Sequence, residues 1–340
     1  MTAAKRPLGD QVVVVTGASQ GIGRETALQL ATHGSSVVLA ARNADALGEV
    51  EREVTRIGGQ AEAVATDVAD WPQVERLAAR AVERFGRIDT WVNNAAVSAY
   101  GTIDDLGVDE IERIVRVNLL GQVHGVKAAL PHLRRAGGGT IINIGSALSE
   151  RAVPLQSAYV ATKHAIKGFS EAIRMELERD GSGIDVTLIL PSSINTPLFS
   201  QARSYLGVRP APVPPVYEPR VVAEAILAAA VAPRREIVVG GWGKMLVVGQ
   251  RLSASLLDWY MLQGDRLFRQ QATDRPDDGS TNLFEPAPGT GSTTGEFGDG
   301  SNATSLYTRH LELHPNRKRA LTVAAWVAAL ALVRRSGARR

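Results

Sequence analysis

The stretch Val12-Val13-Val14-Val15-Thr16-Gly17-Ala18-Ser19-Gln20-Gly21-Ile22-Gly23 decides how this chain is read. Four consecutive β-branched residues make the short apolar run of a strand buried on both faces of a parallel sheet. The glycine-rich turn follows without a spacer, and residues 24–34 then carry a helical pattern. A dinucleotide-binding loop needs this arrangement. Gly17 permits the tight turn, Gly21 lets backbone amides approach a pyrophosphate, and Gly23 lets helix and strand pack closely. The helix N-terminus then faces the phosphates.

Outward from the turn the alternation continues. Strands are expected at residues 37–41, 61–66, 90–92, 140–144, 186–190 and 236–239. Helices are expected at 44–57, 72–85, 108–135 with an interruption at Pro131, up to 179 around Tyr159, and 220–232. The expected fold is α/β: a doubly wound, mostly parallel, Rossmann-type sheet of about seven strands. Ligands in such sheets sit beyond the carboxyl ends of the strands. This domain is expected to span residues 1–243. Residues 244–272 read as an apolar helical extension, 273–305 as a disordered linker rich in Gly, Ser, Thr, Pro and Asp, and 306–340 as a basic tail. Residues 210–219 hold five prolines, which suits either a lid over a site or a surface linker.

Of 340 residues 44% are hydrophobic and 21% charged, an ordinary balance for a soluble core. The chain has no cysteine, which excludes a disulfide framework and thiolate-bound metal; no metal is assigned to the site. The N-terminal ten residues lack the apolar run of a secretory signal, so a cytoplasmic location is expected. The net charge of +3 hides an asymmetry. Seven of the 38 basic residues lie from Arg317 onward with no acid among them, leaving 31 against 35 acidic side chains, a net of −4, in the first 316 residues. A core without a basic face interleaved with aromatics excludes nucleic acid as partner.

Residues 320–333 form an apolar run flanked by arginines. Fourteen helical residues span about 21 Å, short of the roughly 30 Å hydrocarbon core. The flanking arginines suit anionic headgroups, so contact with a membrane surface is expected through residues 317–340, against the alternative of packing on protein. The pattern at 245–263 reads as core or dimer packing.

Chemistry is carried by Tyr159-Val160-Ala161-Thr162-Lys163, with Ser146 thirteen residues upstream. Tyrosine and lysine four apart share one helix face, and a cation one turn away favours phenolate. Together with Thr16-Gly-x-x-x-Gly-Ile-Gly23 and Asn93-Asn94-Ala95, these motifs resemble the short-chain dehydrogenase/reductase family over residues 8–243. The resemblance implies a catalytic tetrad of Asn118, Ser146, Tyr159 and Lys163. Tyr159 would be the acid/base, Ser146 would hydrogen-bond the substrate oxygen, Lys163 would hold the nicotinamide ribose and lower the Tyr159 pKa, and Asn118 would anchor a relay water. It further implies cofactor contacts at Gly17, Ser19, Gly21, Ile22, Gly23, Asp67, Val68, Asn94, Tyr159, Lys163, Ile194 and Thr196, and a homo-oligomer. Two positions depart from the family pattern: Ala96 and Ser192 stand where glycines are usual.

An acid at the end of the second strand would bond both ribose hydroxyls and repel a 2′-phosphate, but Ala41 stands at that place and Arg42 follows it. A guanidinium matches phosphate instead, so NADP is the expected cofactor. The expected function is reduction of a small or lipophilic carbonyl compound to a secondary alcohol. The alternatives are a non-redox lyase or epimerase on the same scaffold and a non-catalytic dinucleotide-binding scaffold protein.

Overall fold

The computed structural model describes residues 5–263, 266–314 and 316–317. The valine run forms β1 (Val12–Thr16), buried along its whole length. Alternate side chains go to opposite faces, as strand geometry requires. Val13 and Val15 join one hydrophobic cluster and Val14 the other. Six further strands complete the sheet: β2 (Ser36–Ala41), β3 (Gln60–Ala65), β4 (Thr90–Asn93), β5 (Gly139–Ile144), β6 (Ile184–Pro191) and β7 (Glu236–Val239). All pair in parallel, in the order β7-β6-β5-β4-β1-β2-β3. The chain reverses direction of growth at β1, and the crevice there opens beyond the strand ends.

Helices cover both faces: α1 (Gly21–Thr32), α2 (Ala44–Arg56), α3 (Trp71–Phe85), α4 (Val108–Val115), α5 (Gly121–Arg135), α6 (Ser157–Arg179) and α7 (Pro219–Val231). Local signals start and stop them. Asn43 caps α2 by accepting from the Ala46 amide at 2.9 Å. Asp70 caps α3 through the Gln73 amide, and Gly86 closes that helix in a left-handed turn at φ +81°.

Three expectations need correction. The long helix expected at 108–135 is divided by a π-helical turn at Arg116–Leu120, while Pro131 sits inside α5 without ending it. The apolar segment at 245–263 is two helices, α8 (Gly241–Leu252) and α9 (Ala254–Leu262), divided where Ser253 caps α9 through the Leu256 amide. Residues 273–305, expected to be a disordered linker, are laid against the domain. Ala272–Pro276 pairs with Val208–Pro210, the Asn282 amide donates to Gln201 O at 2.9 Å, and Leu283 is fully buried. Beyond them Thr308 and Glu312 are buried, and the Thr308 hydroxyl accepts from the Gly240 amide. The apolar run at 320–333 lies outside the described residues, and among those described no helix is long and apolar enough to cross a membrane.

Candidate active site

The glycine turn is fastened to the end of β4. Thr16 Oγ1 accepts from the amides of Asn94 (2.9 Å) and Ala95 (3.2 Å), and the Asn94 side-chain amide donates back to Thr16 O and Gly17 O. Gly17 has φ +67°, and a Cβ there would stand 2.9 Å from Asn94 and Ala95. A Cβ at Gly23 would run into the Gly17 carbonyl, so helix and turn close only on glycine. The turn delivers the first turn of α1 to the cavity mouth, with Gly17, Ser19, Gly21 and Ile22 along one wall. Orphan amides at a helix start beside close-packed glycines fit a pyrophosphate.

One end of the cavity is built where β2 and β3 end. Arg42 and Asn43 leave β2, and Asp67 and Val68 follow β3; all four line the cavity. Asp67 is ion-paired with Arg113 of α4 at 2.7 Å. Asn94, Ile194 and Thr196 line the middle, where Thr196 packs near Gly21.

At the other end stand Ser146, Tyr159 and Lys163. Ser146 lies two residues past the end of β5 and accepts from the Leu148 amide at 3.1 Å, which fixes its hydroxyl in the turn. Tyr159 and Lys163 project from the first turns of α6, with the Lys163 ammonium 5.3 Å from the centre of the Tyr159 ring. Lys163 is almost fully buried and donates to Ile144 O at 2.9 Å. Burial pushes its pKa down to about 7. Tyr159 lines the cavity, where desolvation pushes its pKa up to about 12, against the pull of a hydrogen bond from Ser146. The expected lowering of the Tyr159 pKa by Lys163 is therefore not the net effect. The same burial that raises the phenol also weakens the cation meant to hold it down.

Asn118 does not line the cavity. It is fully buried in the π-helical turn, accepts from the Val97 amide at 2.9 Å and donates to Val97 O and to the Thr162 hydroxyl. It ties the segment after β4 to α6, one residue from Lys163. Gly23 likewise acts through packing. The remaining expected site residues share one cavity of about 610 Å³.

A family model described as short chain dehydrogenase matches residues 11–206. The chain is a member of the short-chain dehydrogenase/reductase family. As such it is an oxidoreductase of the kind that uses a nicotinamide dinucleotide. It is 42% identical over 273 residues to the uncharacterized oxidoreductase YxnA of Bacillus subtilis, covering 80% of this chain and 76% of that one. It is 38% identical over 210 residues to the mouse dehydrogenase/reductase SDR family member 7B, covering 61% and 64%. An alcohol dehydrogenase from Thermococcus sibiricus, solved with 5-hydroxy-NADP, superposes with a TM-score of 0.60 at 27% identity, over 67% of this chain and 95% of that one.

Several elements that line the cavity carry no sequence motif. Tyr100 is buried beside Tyr159, and burial raises its pKa well above the ordinary phenol value. Ala211, Val213 and Pro214 bring the proline-rich segment to the cavity wall, which favours the lid reading over the linker. Trp242, Met245, Leu246, Leu257, Tyr260 and Met261 bring α8 and α9 over the catalytic end. Ser192 needs no positive φ, and its side chain sits in the space left by Gly240 and Gly243.

Proposed function

We propose that the protein is an NADP(H)-dependent oxidoreductase that interconverts a lipophilic carbonyl compound and its secondary alcohol, working as a reductase. The observation that carries this reading is one cavity with an arginine at its adenosine end and hydrogen-bonded Tyr159 and Ser146 beside Lys163 at the other. Bound there, a reduced nicotinamide supplies a hydride to the carbonyl carbon. The residues do the rest. Ser146 donates a hydrogen bond to the carbonyl oxygen, and Tyr159 transfers its proton to that oxygen as charge develops. The phenolate left behind is stabilised by protonated Lys163 and regains a proton from solvent.

A phenol with a pKa of about 12 is protonated at neutral pH and ready as an acid. Oxidation of the alcohol needs the phenolate, so reduction is favoured at neutral pH and oxidation gains as pH rises. The apolar wall supplied by α8 and α9 argues for a lipophilic substrate. Val248, Leu252, Leu256, Trp259 and Leu262 on the outer side of these helices are exposed, so apolar surface continues from the protein exterior to the cavity. With the basic tail this supports contact with a membrane surface; finding the full chain wholly outside the membrane fraction refutes it, and truncation after Arg317 should release the protein. A homo-oligomer is proposed by family likeness, and a monomer by sedimentation refutes it. Turnover of a carbonyl panel with NADPH tests the main reading. Bound dinucleotide with no net redox would point instead to a lyase or epimerase.

A further inference from the structure

All the acceptors that the Arg42 guanidinium finds come from one segment about 240 residues further along the chain. It donates to Phe284 O at 2.6 Å, to Leu283 O at 3.4 Å and to Asn282 O. Arg113 from α4 donates to the same Leu283 oxygen at 3.0 Å. Two guanidinium groups thus meet at one oxygen atom. Burial, and next the neighbouring Arg113, pull the Arg42 pKa below its ordinary value, as two close cations should. The segment runs on along the dinucleotide loop. Asn43 donates to Ala287 O and Gly289 O, Arg24 to Thr290 O and Gly291 O, and the Gly21 amide to Ser292 O at 2.8 Å. Each of these bonds to the loop and to the two arginines has the same sense: cation or amide on the loop side, neutral carbonyl on the strap.

We propose that Arg42 and Arg113 together form the seat for the 2′-phosphate of the dinucleotide, and that the carbonyls of Asn282, Leu283 and Phe284 fill that seat as a latch which the phosphate displaces. This rests on the NADP(H) reading above. Three carbonyl oxygens on two guanidiniums imitate the three terminal oxygens of a phosphate monoester. A charged acceptor forms stronger bonds to guanidinium than a neutral carbonyl does, so the exchange favours phosphate. Glu285, on the same strap and close enough to Arg42 to act on its charge, is repelled by the arriving phosphate and so helps the strap leave. A dinucleotide without the 2′-phosphate gains nothing at this seat and leaves the latch closed. Arg113 is a specificity-determining residue on this account, and the strap makes the choice of cofactor a competition.

Calorimetric binding to the full chain and amide hydrogen exchange read the latch directly. NADPH and adenosine 2′-monophosphate should each speed exchange at Asn282 and Leu283, while NADH and adenosine 5′-monophosphate should not. Arg113→Gln should lower the NADPH/NADH binding preference about tenfold, with Arg113→Lys recovering part of the loss. Leu283→Ala removes the buried anchor of the strap and should tighten NADPH binding about fivefold, because less of the protein has to be unlatched. Equal exchange with NADPH and NADH overturns the latch, and an unchanged NADPH/NADH preference in Arg113→Gln overturns the seat. If the wild-type chain binds neither dinucleotide, the NADP(H) reading itself fails.

Discussion

The two ends of the cavity are built on opposite principles. The catalytic end is mainly apolar: Tyr100, Leu246 and Met261 line it with Tyr159 and Lys163, and desolvation moves both pKa values toward the neutral forms. The adenosine end is crowded with cations whose charges are met by an ion pair to Asp67 and by backbone carbonyls. At the first end a charge is expensive and its cost tunes the proton chemistry. At the second, charge is plentiful and what matters is which acceptor holds it. Substitutions at the two ends should therefore fail differently.

Tyr159→Phe has the largest expected effect. Without its proton donor, carbonyl reduction should fall by about 10³-fold while NADPH affinity, set at the far end, is retained. Unchanged turnover in an absorbance assay of the reduced nicotinamide would sink the proposed mechanism.

Lys163→Met comes next and separates stability from activity. The buried amine has its pKa lowered from 10.5 to about 7, so the unfolded chain binds more protons than the folded one between those values. Stability should rise with pH across that window, and the penalty is in full force below about pH 7. Denaturant titration should show a gain of about 2–3 kcal/mol from about pH 7 to about pH 9.5 in the wild type that the variant lacks. Above about pH 10 the buried tyrosines, whose pKa values are raised, reverse the trend.

Arg42→Ala should cut NADPH affinity about 30-fold and NADH affinity little, while catalytic turnover at saturating cofactor stays within about twofold. Equal losses for both cofactors would mean that the arginine shapes the loop and does not read the phosphate. The smallest effect belongs to Ser253→Ala, which removes the cap of α9 at about 1 kcal/mol. It should raise KM for a lipophilic substrate about two- to threefold and leave NADPH binding unaltered, which isolates the apolar end.

The legible parts of the molecule were those whose partners lie nearby in sequence. The valines and the glycine turn are contiguous, and Tyr159 and Lys163 are one helical turn apart, so periodicity places them. Arg42 was legible as a strand-end cation, but its partners 240 positions away were not. The strap was mistaken for a disordered linker for a physical reason. Between residues 282 and 292 what holds it is mainly its carbonyl oxygens, which every residue possesses, so the order of that part leaves no trace in composition. Of its side chains only Leu283 is buried in the core. The rise that burial gives the Tyr159 pKa was not legible, because spacing reveals a neighbour and says nothing of how much water remains. The π-helical turn around Asn118 was invisible, since Arg116–Leu120 has ordinary helix-forming residues.

The position of the strap in the chain also sets an order of events during synthesis. The glycine turn, Arg42 and Arg113 emerge from the ribosome well before residues 282–292, and at an elongation rate of roughly 5–20 residues per second the interval from Arg113 is on the order of 10–30 s. Through that interval the half-made domain has its cation pair and no strap to fill it. A nascent chain therefore meets the cellular dinucleotide pool before it meets its own C-terminal segment. The first occupant of the site is decided by arrival time, and only the later exchanges are decided by competition.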